Sequence, residues 1–238
     1  MKRLILFALF PLAACASPVP SNEVRSVLAP TLEPLPADAP FRDEILRFAK
    51  MDWENAPPAC PVLFVGSSSI RLWKSLAEDM APLPVLNRGF GGSQISESNL
   101  YFDRIVTPYR PRAIVFYAGE NDLDAGEPPD AAAAHFRRFL ELKRSRLGDT
   151  PVFYISAKPS KARFGQLERQ SQLNASIRAL AGKDLTFIDV ATPMLNDGQP
   201  RDLYVEDGLH MNADGYAIWR RLVRNALERK DMGRRQCR

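Results

Sequence analysis

Histidine and cysteine are scarce. There are two of the former, His135 and His210, and three of the latter, Cys15, Cys60 and Cys237, in 238 residues. Nitrogen and sulfur ligands at metal-binding spacings are therefore too few for a zinc centre, and neither a metal nor an organic cofactor is expected. Excess charge is also small. The chain has 32 Lys and Arg against 28 Asp and Glu, and Lys2 and Arg3 fall in a leader-like segment. The near-balance that remains gives no electrostatic footprint for nucleic acid. Basic residues thicken from Arg220 to Arg238, which reads as the solvated face of a terminal helix and then a frayed basic tail at 231–238. The apolar run at 4–12 is too short for a permanent membrane helix, which needs about 20 residues. No internal repeat is present, nor any low-complexity tract beyond the alanines at 131–134.

At the start of the chain, Lys2-Arg3, the apolar run and the small residues after it read as an export signal over residues 1–15. Leu12-Ala13-Ala14-Cys15 resembles the lipobox of bacterial lipoproteins, which implies a lipid on Cys15 and contact with a membrane through that lipid alone. Ala14-Cys15-Ala16 also fits ordinary cleavage after Ala16, so both routes stay open. Ala16, rather than an aspartate, comes after the cysteine, and this resembles lipoproteins sent to an outer membrane. The expected location is the cell envelope or periplasm. Residues 16–40 carry Pro18, Pro20, Pro30, Pro34, Pro36 and Pro40, which block regular structure and suggest a semi-rigid spacer. Whether Cys60, just before the first strand, meets Cys237, the penultimate residue, is undecided by sequence.

The domain is expected over 41–230. A first helix fits 41–55, ending before Pro57 and Pro58. From Pro61 short apolar runs at 62–65, 85–86, 113–117, 152–155 and 185–190 alternate with amphipathic segments at 70–80, 95–106, 129–147 and 164–181. A last helix comes at the end, with Asn212 as its N-cap and Gly215, Tyr216, Trp219, Leu222, Val223 and Ala226 on one face. Strands and helices in alternation mean an α/β fold, a three-layer α/β/α sandwich on a parallel sheet. Five strands with right-handed crossovers favour a flavodoxin-like order, with ligands at the carboxyl ends of the strands.

Chemistry should therefore lie in the turns just beyond the strands. After the first come Gly66, Ser67, Ser68 and Ser69; after the second, Asn87 to Ser93; after the third, Gly119, Glu120, Asn121 and Asp122; after the fifth, Asp207 and His210. A serine hydroxyl attacks an acyl carbon only when a base takes its proton, and that base works best when an acid fixes its tautomer. Ser68, His210 and Asp207 fit those three parts. Backbone N–H groups of Ser68 and Gly92 and the amide of Asn121 would supply donors to an oxyanion.

Together the four segments resemble the GDSL hydrolases of the SGNH type, from about Val62 to Trp219. Gly66-Ser67-Ser68 matches the first block, with the nucleophile at Ser68. Residues 87–93 match the second, with the oxyanion glycine best placed at Gly92, while Gly89 and Gly91 keep the alignment open. Gly119 to Asp122 matches glycine-x-asparagine-aspartate, putting the oxyanion asparagine at Asn121. Asp207-x-x-His210 matches the fifth block. Ser67 stands where the family usually has aspartate, which leaves Ser67 and Ser69 as alternative nucleophiles.

The resemblance implies hydrolysis of an acyl ester of a small molecule, lipid or carbohydrate by a cofactor-free enzyme, expected here as a monomer. An open, shallow cleft would favour acetylated or polymeric carbohydrate, and an apolar groove would favour lipid. Each segment alone has a plainer reading: a helix cap for the serines, ordinary turns for Gly119 to Asp122 and for the glycines, a surface pair for Asp207 and His210. A non-catalytic saccharide- or lipid-binding envelope lipoprotein and a flavin or nucleotide binder are the rival classes. His135 comes after the alanines with only Asp130 as a nearby acid and reads as a surface histidine. Trp73, Phe187 and Trp219 read as core. Lys158 to Ser160 and the stretch from Asp124 to Pro129 read as loops edging the cleft.

Overall fold

The computed structural model describes residues 34–237. The segment expected to be an export signal, with Cys15, and most of the proline-rich stretch expected to be a spacer lie outside the described residues. Five parallel strands form one sheet: β1 (Val62–Gly66), β2 (Val85–Gly89), β3 (Ala113–Tyr117), β4 (Val152–Ile155) and β5 (Leu185–Ile188). Their order is β2-β1-β3-β4-β5, the flavodoxin-like order expected from five βα units. Strands buried on both faces read as unbroken apolar runs rather than alternating ones. In β1, Leu63 and Val65 join a cluster with Phe116, Phe136, Phe139 and Leu173 on one face. Val62 and Phe64 join Tyr117, Trp73, Trp219 and Val223 on the other.

Helices cover both faces. One layer holds α1 (Arg42–Glu54), α4 (Ile95–Leu100), α5 (Phe102–Ile105), α7 (Pro129–Leu147) and α8 (Leu167–Arg178). The other holds α2 (Ser68–Arg71), α3 (Leu76–Met80) and α9 (Ala213–Arg229). A short helix α6 (Glu120–Asp124) comes after β3. Asn212 caps α9 as expected, its Oδ1 accepting the Gly215 N–H at 3.1 Å. The helices read at 70–80 and 95–106 are each two short pieces. In the first, the chain turns at Leu72–Ser75 so that the Trp73 ring lies edge-on to Phe64 and Trp219. A two-residue hairpin of β6 (Leu195–Asn196) and β7 (Gln199–Pro200) has no counterpart in the sequence reading.

Both ends of the domain depart from expectation. Residues 35–40, read as the end of a spacer, pack on the domain: Leu35 lies against the first core cluster, and the Tyr101 hydroxyl donates to the Pro40 carbonyl. The tail at 231–238, expected to fray, is fastened over its described residues, 231–237. Met232 is buried, the Arg112 guanidinium donates to the carbonyls of Met232 and Gly233, and Cys237 is disulfide-bonded to Cys60 with Cα atoms 5.6 Å apart. At the β2 edge of the sheet, the buried Arg88 binds Asp52 of α1 and donates to the Tyr109 hydroxyl at 2.8 Å. Its guanidinium stacks over Phe48. Helix α1 is thereby held beside an edge strand that would otherwise stand open.

Candidate active site

The turn after β1 is dictated by one glycine. Gly66 adopts φ +132°, and a Cβ there would stand 1.8 Å from the Tyr117 carbonyl oxygen. Only glycine permits this approach. The chain then enters α2, leaving Ser67 and Ser69 buried at 4% and 3% exposure while Ser68 stays half-open. Ser68 is thus the serine of the three that meets a base: its Oγ lies 2.9 Å from His210 Nε2.

His210 and Asp207 sit on a tight loop before α9. Asp207 Oδ1 accepts the backbone N–H groups of Leu209 and His210, both at 2.8 Å, and Oδ2 lies 2.6 Å from His210 Nδ1. Loss of hydration pushes the Asp207 carboxyl up, but the hydrogen bonds from the His210 ring and from the two backbone N–H groups outweigh it and hold the group at about 2. Asp207 is consequently an acceptor at neutral pH. Nδ1 must carry the proton that bridges the pair, which turns the Nε2 lone pair toward Ser68.

Three glycines lie at and beyond the end of β2, and packing separates them. A Cβ on Gly89 would meet the Arg71 backbone nitrogen at 2.4 Å, and one on Gly91 would strike the Phe41 ring at 2.1 Å. Gly92 is exposed, and the nearest atom to a Cβ there would be Asn121 Nδ2 at 3.9 Å. Asn87 shapes this turn, its amide donating to Ile70 O at 2.7 Å and its Oδ1 accepting the Gly89 N–H at 2.9 Å. Neither the Ser68 nor the Gly92 backbone N–H has an acceptor among the described residues. Asn121, opposite, donates to Ser93 O at 3.0 Å and accepts from Arg163 Nη1 at 2.9 Å. Its neighbour Asp122 is buried and accepts the Ile95 N–H at the start of α4. Burial chiefly lifts the Asp122 carboxyl to about 6, with that hydrogen bond opposing.

His135 stands apart from this cluster, facing Glu127 at 3.4 Å. Its acid partner is Glu127 rather than Asp130, whose carboxylate faces Ser176 instead. Arg163 is a site neighbour that the sequence does not point to, Glu120 lies in the turn after β3 but has no role assigned by the sequence, and Lys158, read as a loop residue at the cleft edge, is fully buried. The only hint of Glu120 is a charged residue between Gly119 and Asn121, where a solvated turn is the simpler reading.

Fold and family together define the class, an ester-bond hydrolase of the SGNH type. A family model, the GDSL-like lipase/acylhydrolase family, matches residues 64–218, and the chain belongs to that family. Among solved structures, a GDSL-like lipase from Bacteroides thetaiotaomicron is similar at 21% identity and TM-score 0.67, covering 78% of this chain and 98% of its own. The lipase/acylhydrolase from Enterococcus faecalis is similar at 20% identity and TM-score 0.56, covering 75% and 98%. A carbohydrate esterase family 3 protein from Talaromyces cellulolyticus aligns at 16% identity and TM-score 0.58, covering 72% and 98%. These likenesses speak to the fold. No curated protein matches the chain.

Proposed function

We propose that the protein is a serine esterase that works through an acyl-enzyme at Ser68. The observation that carries this reading is the 2.9 Å contact between Ser68 Oγ and His210 Nε2. As Oγ bonds to the acyl carbon, Nε2 takes its proton, and Asp207 balances the imidazolium charge. Negative charge gathers on the former carbonyl oxygen, where the Ser68 and Gly92 N–H groups and the Asn121 amide act as donors. The imidazolium then protonates the departing alcohol oxygen as the C–O bond breaks. Water repeats the sequence on the acyl-serine, losing a proton to Nε2, and releases the acid with Ser68 restored.

The site is open: the His210 and Asp207 side chains are 25% and 46% exposed, and Arg163 and Asp124 flank Asn121. Such polar, exposed surroundings favour a short acyl group on a polar alcohol over a long acyl chain. On residues 1–15 alone, we further propose export to the cell envelope with a lipid on Cys15.

Covalent labelling tests the reading. A fluorophosphonate should modify Ser68 in wild type and in the Ser67→Ala and Ser69→Ala variants. It should leave Ser68→Ala unlabelled, and His210→Ala should lose turnover of a short-chain aryl ester. Hydrolysis that survives Ser68→Ala refutes the assignment.

A further inference from the structure

The segment beyond β4 touches both halves of the proposed machinery. Lys158 is fully buried, and its Nζ donates to the carbonyl of Leu209, the residue before His210, at 2.8 Å. The same ammonium reaches Glu120 Oε1 at 3.3 Å and lies over the Tyr204 ring. Glu120, buried beside Asn121 in sequence, also accepts the Tyr117 hydroxyl. Two more bonds tie the segment to the histidine loop: Ala162 N–H donates to Gly208 O at 3.0 Å, and the Tyr204 hydroxyl donates to Pro159 O at 2.6 Å. Five residues beyond Lys158, Arg163 turns the other way. Its Nη1 donates to Asn121 Oδ1 and its Nη2 to Asp124 Oδ2, both at 2.9 Å.

From this geometry we infer that Lys158 and Arg163 are positioning residues on one brace. Lys158 sets the place of the Asp207–His210 loop through the Leu209 carbonyl, and Arg163 holds the Asn121 amide with Nδ2 toward the carbonyl oxygen of the ester. The inference rests on the esterase reading of the site. A buried ammonium must keep its partners or lose its charge. Lys158 has an anion on one side and a carbonyl of the catalytic loop on the other, so the position of that loop is coupled to the Glu120 pair. Arg163 satisfies the only acceptor of the Asn121 side chain, and Ser93 O takes one of its two amide protons. The amide cannot flip without breaking both bonds, and one N–H remains for the substrate.

Glu120→Gln/Lys158→Met removes both buried charges together, so that neither is left unpaired, and strips the donor from Leu209 O. Arg163→Met frees the Asn121 amide. The test reads spectra and rates on the same samples. With two histidines in the chain, the imidazole ¹H–¹⁵N spectrum is assignable through His135→Asn. The Nδ1 proton signal of His210, sharp and low-field in wild type, should broaden or vanish in the Glu120/Lys158 variant and stay unchanged in Arg163→Met. The Asn121 side-chain amide signals should respond in the opposite pattern. Turnover of an aryl acetate should fall in kcat by roughly 10- to 100-fold in each variant with KM within about threefold, the scale expected for misplacement of a reacting group. Adding Arg163→Met to Asn121→Ala should cost nothing more. Imidazole and amide signals unmoved by these substitutions, or an additive double variant, would overturn the brace. A wild-type protein inert to esters would overturn the esterase reading instead, and the spectra would still decide whether the brace exists.

Discussion

Replacing Cys237 by serine removes a cross-link between residues 177 positions apart, a loop that spans most of the domain. In the chain-entropy description the unfolded state regains roughly 17 cal/mol/K for a loop of that length, or about 5 kcal/mol at 25 °C. The tail also loses its anchorage near Asp149, but the Arg235–Asp149 pair is partly exposed and adds at most about 1 kcal/mol. A unit of about 200 residues unfolds with an entropy near 0.4 kcal/mol/K, so the expected fall in Tm is about 12 °C. Calorimetric melts of oxidised wild type, reduced wild type, Cys237→Ser and Cys60→Ser/Cys237→Ser check this. The last three should coincide and lie well below the first. Ester turnover measured below the melt should be equal in all four, because Cys60 precedes β1 and Ser68 lies beyond it. A Cys237→Ser protein melting within about 2 °C of the oxidised wild type would sink the reasoning.

Three further outcomes rest on single contacts. Gly66→Ala must push a methyl into the Tyr117 carbonyl at 1.8 Å and should lose at least about 3 kcal/mol of stability or yield no soluble protein; a melt like wild type refutes that clash. If Asn121 is the proposed oxyanion donor, Asn121→Ala should lower kcat about 10² to 10³-fold with KM little changed, whereas an effect confined to KM in steady-state kinetics counts against that role. Asp122, held at about 6 when folded and near 3.9 when unfolded, binds an extra proton in the native state between those values. Its contribution to stability therefore rises as pH falls through 6, is complete below about 4, and amounts to at most about 3 kcal/mol. Urea unfolding of wild type and Asp122→Asn at pH 7.5 and 4.5 should show that difference in slope, and identical pH dependence in the two proteins rules it out.

Much of the architecture is written in the residues one at a time. The strands are legible because burial on both faces leaves no polar positions, as in Val62 to Val65, and α7 because Pro129 starts it and Gly148 stops it. The breaks within 70–80 and 95–106 are not, since they come from seating Trp73 and Tyr101 in distant packing rather than from a local breaker. At the site, Ser68, Gly92, Asn121, Asp207 and His210 each lie beyond a strand and carry recognisable chemistry. Glu120 and Lys158 do not announce themselves: a charge becomes structural only when its partner arrives, and theirs comes from 38 residues away. The Cys60–Cys237 bond is undecidable from sequence for the same reason, because only the sheet topology brings the two together.

The disulfide at the far end of β1 has a practical side. Cys60 and Ser68 bracket a five-residue strand, which separates them by roughly 17 Å along the sheet. Cargo joined to the C-terminus beyond Cys237 would leave the domain at the pole facing away from Ser68. A bead, surface or fusion partner attached there would hold the protein with its open serine turned outward, and keeping Cys60 and Cys237 joined as the disulfide would stop the attachment point from peeling away.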